Sequence, residues 1–81
     1  MITVYSSDTC APCVSLKRFL DHKIEQGHTE YIYRVFDADQ EPHTSQLWRL
    51  TGRRVVPTTL IEGHAPIVGL NYAAITKALK M

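Results

Sequence analysis

The sequence predicts an α/β domain: a four-stranded mixed sheet and three helices in the order β-α-β-α-β-β-α. Three observations carry this. Short runs of β-branched and aromatic residues alternate with longer runs whose apolar residues recur at helical spacing. Gly27, Gly52 and Gly63 fall between those runs, where a chain can turn. Finally Cys10 and Cys13, the two cysteines of the chain, stand where the first strand run passes into the first helical run.

Residues 2–6 are β-branched and aromatic and form the first strand. A loop from Ser6 to Thr9 leads to a helix expected over residues 11–26, with Pro12 in its first turn and Gly27 as its cap. The stripe Cys13, Leu16, Phe19, Leu20 and Ile24 faces inward, and Lys17, Arg18, Asp21 and Glu25 face water. Residues 31–36 form a second strand, with Tyr31 and Tyr33 on one face. A strand, a crossover helix and a second strand make the two strands parallel, with a right-handed connection.

Asp37 to Gln40 is a polar exit, and Asp37 and Asp39 belong to it rather than to an acid/base pair. Pro42 opens a second helix with Leu47, Trp48 and Leu50 on its apolar side, ended by Thr51-Gly52. Trp48 is expected in the core or half-buried. Residues 58–61 form the third strand, Gly63-His64 a turn, and residues 65–68 a fourth strand. Pro66 restricts that fourth strand to an edge or a bulge. Asn71 caps a last helix over residues 72–80, with Ala74, Ile75, Ala78 and Leu79 inward and Lys77 and Lys80 near its end.

The 81 residues make one domain, 1–81, with room for a single core. Nine Lys/Arg against eight Asp/Glu leave a formal net charge of +1, which exerts no general pull on nucleic acid or anionic membrane. No apolar run approaches the roughly 20 residues of a membrane span. Met1 leads straight into strand-like sequence without a signal-peptide pattern, so the expected compartment is the cytoplasm. There, a close cysteine pair is catalytic, redox-sensing or metal-binding more often than structural.

The position of the pair favours redox chemistry. The thiolate is the reactive form, and the unpaired N–H groups and positive dipole end of a helix N-terminus stabilise it. Cys10 lies ahead of the helix and can be exposed, whereas Cys13 begins the buried face. Cys10 is therefore the expected attacking sulfur and Cys13 the resolving one. A thiol of pKa about 8.5 is only ~3% ionised at pH 7, so a modest lowering suffices, and Asp8 opposes an extreme one.

Cys10-Ala11-Pro12-Cys13 in the first βα turn, together with this element order, resembles the thioredoxin superfamily over the whole chain. The size is closest to glutaredoxins and the glutaredoxin-like redoxins that reduce ribonucleotide reductase. The stretch from Thr51 to Thr58, with Val56-Pro57 inside it, looks like the glutaredoxin segment ending in Thr-Val-Pro. The resemblance implies a cis Pro57 beside the cysteines and a Val56 backbone that pairs with substrate. Ile67 to Asn71 is similar to the family's Gly-containing loop before the last helix.

On this basis the catalytic residues are Cys10 and Cys13, which would alternate between dithiol and disulfide. Thr9, Ala11, Pro12, Val56, Pro57, Gly69 and Leu70 would bind substrate. Ser7 stands where glutaredoxins carry Lys or Arg, and Val68-Gly69 and Asn71 stand where the glutathione-gripping Gly-Gly and acidic residue are usual. Thr9 replaces the thioredoxin Trp. Reducing equivalents are thus expected from glutathione or from a thioredoxin-reductase-like flavoprotein, with no bound cofactor. The client is a protein disulfide, ribonucleotide reductase among the candidates, and the protein is expected to act as a monomer. The redox poise expected of such a protein is about −200 to −270 mV.

Two other classes compete. A zinc module could use Cys10 and Cys13 with His22 and His28, but zinc fingers place their cysteines on a hairpin rather than at a helix start. No metal is therefore expected, and His22, His28, His43 and His64 are expected to be solvated. A non-catalytic adaptor on the same fold would show no turnover with a dithiol reductant. Arg53-Arg54 is most simply a solvated loop pair; the alternatives are steering of a partner and, by the resemblance, contact with a glutathione carboxylate.

Overall fold

In the computed structural model, which describes residues 2–26 and 32–79, the order is β1 (Ile2–Ser6), α1 (Ala11–Glu25), β2 (Tyr33–Asp37), α2 (His43–Thr51), β3 (Thr58–Ile61), β4 (Ile67–Val68) and α3 (Tyr72–Ala78). The strands lie in the spatial order β2-β1-β3-β4. β1 pairs with β2 in parallel, Ile2 opposite Tyr33 through Ser6 opposite Asp37. The β1–β3 and β3–β4 pairs are antiparallel. This is the expected mixed sheet with three helices.

All five residues of β1 are buried. The strand has a neighbour on each edge and helices over each face, which explains why its sequence alternates only weakly. Ile2 and Val4 face a core built with Leu16 and Leu20 of α1, Ile61 of β3, and Ile75, Ala78 and Leu79 next to the chain end. Phe19 stacks on Tyr72 with centroids 4.3 Å apart, joining α1 to α3. Each fully buried aliphatic side chain contributes roughly 1.5–3 kcal/mol relative to exposure. Tyr5 points to the opposite face and packs with Ala38 and Leu47 under α2.

Several boundaries differ from expectation. α1 ends at Glu25 with Gln26 as its cap, and the expected Gly27 cap lies outside the described residues. Its inward stripe holds, with Cys13, Leu16 and Leu20 fully buried and Phe19 and Ile24 partly so; Lys17 is half-buried rather than free in water. β2 begins at Tyr33 and runs through Asp37, one residue past the expected end, and Tyr31 and His28 lie outside the described residues. β4 is only Ile67–Val68, on the sheet edge. Pro66 has no N–H for the ladder, so Ala65 and Pro66 stay out of the strand. α3 stops at Ala78 with Leu79 as cap; Lys80 lies outside the described residues.

The second helix corrects the apolar expectation most. Leu47 is its buried side chain, while Trp48 is 52% and Leu50 45% exposed. Trp48 follows Leu47 by one residue, roughly 100° around the helix, and so turns away from the sheet. Leu50 instead borders an open groove of about 480 Å³ with Phe36, Arg49 and Leu60. Gly52 ends the helix at φ 70°, a left-handed conformation in which its N–H reaches the Trp48 carbonyl at 2.8 Å. His43 is not simply solvated: its ring stacks on Phe36 with centroids 4.0 Å apart. His22 and His64 are exposed as expected.

Among the described residues, no helix is long and apolar enough to cross a membrane, and no cluster of three potential metal ligands occurs.

Candidate active site at the Cys10–Cys13 turn

The site is built where β1 hands over to α1. Cys10 is the N-cap of the helix, with φ −95° and ψ 102°, and its Sγ accepts the backbone N–H of Cys13 at 3.1 Å. That bond satisfies one of the donors every helix leaves unpaired at its start. The Cys10 N–H in turn donates to the Ser7 carbonyl at 3.2 Å, closing the turn. Pro12 sits in the first helical turn, where an intrahelical N–H is not needed.

Cys10 and Cys13 are joined as a disulfide with their Cα atoms 5.2 Å apart. Their surroundings differ. Cys13 is fully buried, whereas Cys10 is partly exposed and flanked by exposed Thr9, Ala11 and Pro12. An incoming disulfide therefore meets the Cys10 sulfur first. A thiolate formed there would lie against the Cys13 N–H and the positive end of α1.

The other expected site residues lie in two further segments, 56–57 and 69–70. The Val56–Pro57 peptide bond is cis, and Pro57 is buried beneath the surface. The Thr58 hydroxyl donates to the Val55 carbonyl at 2.6 Å, bracing the segment from below. Val56 shares a cleft of about 280 Å³ with Ser7, Thr9, Asp39 and Arg54. Gly69, at φ 77°, donates its N–H to the Pro57 carbonyl at 2.8 Å, and Leu70 follows it exposed.

The cleft also contains a polar network that sequence reading did not assemble. The Asp39 carboxylate pairs with the Arg54 guanidinium and accepts the Ser7 hydroxyl at 2.9 Å. Ser7 Oγ lies 3.4 Å from Thr9 Oγ1. The Asp39 N–H donates to Asp37 Oδ1 at 2.9 Å, which holds the turn carrying it. Arg54 is therefore an ion-pair partner and not a free loop cation, and Asp39 is more than a strand exit. One signal for this was available: β1 and β2 are parallel, so the residues just after each strand emerge at the same end of the sheet.

A buried sulfur and an accessible one, bonded across the first turn of a helix that follows a central strand, define a thiol–disulfide oxidoreductase of thioredoxin-like fold. The glutaredoxin family model matches residues 2–65, and the chain belongs to that family.

Solved structures agree. A buckwheat glutaredoxin in complex with glutathione is 25% identical, with a TM-score of 0.67 over 94% of this chain and 66% of its own. The chain thus spans about two thirds of that relative. The thioredoxin-like protein BC3987 is 25% identical, with a TM-score of 0.68 over 96% of this chain and 99% of its own. Methanoredoxin of Methanosarcina acetivorans, 24% identical, shares the fold with a TM-score of 0.76 over 99% of this chain and 84% of its own. No curated protein sequence matches the chain.

Proposed function

We propose that this protein reduces disulfides in polypeptide clients by dithiol exchange, with Cys10 as nucleophile and Cys13 as resolving thiol. The observation that carries the reading is the unequal exposure of two bonded sulfurs: Cys13 is fully buried and Cys10, at the helix N-cap, is partly open.

In the reduced protein the Cys10 thiolate attacks one sulfur of the client disulfide. A Cys10–client mixed disulfide forms and the other client sulfur leaves as thiolate, taking a proton from solvent. Cys13 then loses its proton and attacks the Cys10 sulfur. The Cys10–Cys13 bond forms, the mixed disulfide breaks, and the second client sulfur leaves as thiolate and is protonated. The client gains two electrons and two protons; the protein gives up two electrons and the Cys13 proton, the second proton being the one Cys10 released to solvent on forming its thiolate. The Cys13 N–H aimed at the Cys10 sulfur at 3.1 Å supports the first step by favouring the anion.

Val56 and Thr9 line the cleft next to this turn, and with Ala11, Pro12, Pro57, Gly69 and Leu70 they are the residues we assign to client binding. We assign Val56 the role of pairing its backbone with an extended client segment. The resting disulfide is returned to dithiol by two electrons from glutathione or from a thioredoxin-reductase-like flavoprotein. The family relationship, including a relative solved with glutathione, makes the former the first donor to test. Electron transport to a client such as ribonucleotide reductase, by a monomer in the cytoplasm, completes the proposal.

The test uses two variants. Cys10→Ser should abolish reduction of a disulfide client. Cys13→Ser should trap a client adduct on Cys10, visible as a mass increase removed by dithiothreitol. Reduction surviving in Cys10→Ser, or an adduct on neither variant, would overturn the assignment. Supplying the oxidised protein with glutathione and its reductase, or with thioredoxin reductase, identifies the donor by which one sustains turnover.

A further inference from the structure

We infer that Asp39 determines specificity, by masking Arg54 so that the cleft beside Cys10 does not favour carboxylate-bearing small thiols and disulfides. The inference rests on the exchange reading above and names the substrate class it serves: polypeptide disulfides, read through backbone contacts.

The cleft lined by Ser7, Thr9, Asp39, Arg54 and Val56 adjoins Cys10 through Thr9, the residue before it, and so flanks a group joined to that sulfur. Arg54 supplies the positive charge among these residues. A bare guanidinium there would be a natural receptor for a carboxylate, which it can grip with two parallel bonds. Here Asp39 already occupies it. The carboxylate is held on both oxygens, Oδ1 by Arg54 and Oδ2 by the Ser7 hydroxyl at 2.9 Å, and its own N–H is fixed on Asp37.

A small anionic thiol such as glutathione, with more carboxylates than ammonium groups, would have to displace Asp39 to reach Arg54. It would then leave that carboxylate facing its own. A polypeptide segment paired with the Val56 backbone needs no such displacement. The side chains of Arg54 and Asp39 are 48% and 44% exposed, so the discrimination is modest, on the scale of one solvent-screened ion pair.

The test measures second-order rate constants for oxidation of the fully reduced protein by three small disulfides. Glutathione disulfide is anionic, cystamine cationic and bis(2-hydroxyethyl) disulfide neutral. Ratios to the neutral compound remove any general change in Cys10 reactivity. Asp39→Asn should raise the anionic-to-neutral ratio about threefold and lower the cationic-to-neutral ratio, the size expected of one exposed pair. Arg54→Gln should move both ratios the other way, and the double variant should bring both back toward wild type. In about 1 M salt, where screening acts within ~3 Å, the differences should shrink.

If Asp39→Asn scales all three rates equally, or lowers the anionic ratio, the inference is overturned and Asp39 is structural. If the wild-type dithiol reduces none of the three disulfides, the exchange reading itself fails and takes this inference with it.

Discussion

The backbone N–H of Gly69 donates to the carbonyl of Pro57 at 2.8 Å, tying the loop before α3 to the segment whose Val56 shares a cleft with Thr9. The bond exists because Gly69 adopts φ 77°, a left-handed conformation that turns its N–H toward the proline. A Cβ built there meets nothing within 4 Å, so only backbone conformation penalises a side chain at this position.

Gly69→Ala should therefore cost about 1 kcal/mol of stability by denaturant unfolding, with a larger proportional loss in client reduction than in folding. Gly69→Asn should cost less than Gly69→Ala, since Asn tolerates the left-handed region better. Equal costs for the two would show that space rather than φ governs the position.

In α2, Leu47 is fully buried and Trp48 lies mostly in solvent. Leu47→Ala should destabilise by roughly 2–5 kcal/mol, the range for a buried leucine that leaves a cavity. Trp48→Ala should stay within about 0.5 kcal/mol of wild type. Urea titrations of both variants decide the point, and the reverse ranking would mean that α2 packs through its other face.

Thr59 is fully buried in β3, opposite Val4 and Ile67, and its hydroxyl has no hydrogen-bond partner among the described residues. Thr59→Val keeps the shape and removes the unsatisfied group, so it should stabilise the protein by about 1 kcal/mol. A higher thermal midpoint with unchanged m-value is the expected result; a lower midpoint would reveal a partner for the hydroxyl in solution.

Burial, the 2.6 Å hydrogen bond donated to Asp21 and the nearby Asp21 charge together push the Tyr33 phenol up to about 12. A raised folded-state value means that the neutral phenol is favoured in the native protein. Its contribution to stability is present below the ordinary tyrosine value of about 10 and is lost as pH rises through about 12. Ultraviolet titration should show Tyr33 ionising late, with Tyr5 also above the ordinary range because burial pushes its phenol up. Asp21→Ala should move the Tyr33 step alone down toward the ordinary range while burial still holds it above.

Much of this protein was legible locally. Asn71 accepts the Ala74 N–H at 3.1 Å as the cap its position suggested, and Gly52 ends α2 in the left-handed conformation. The stripe of Cys13, Leu16 and Leu20 turned inward because helical periodicity places one face against a sheet whatever the sheet is. The errors fell where a side chain's fate depends on how far a neighbouring element extends. Trp48 and Leu50 are apolar by type, but the narrow cover that α2 lays on the sheet leaves each about half exposed.

By itself, the chain order determined the strand–turn–helix that puts one sulfur before α1 and the next on its buried side, because caps and periodicity act over a few residues. Only the tertiary structure decided what faces that sulfur. Ser7 and Asp39 stand 32 residues apart and meet because parallel pairing brings the ends of β1 and β2 to one edge, where Arg54 arrives from beyond α2. Such a meeting depends on strand register and direction, which long-range packing sets and no local pattern encodes.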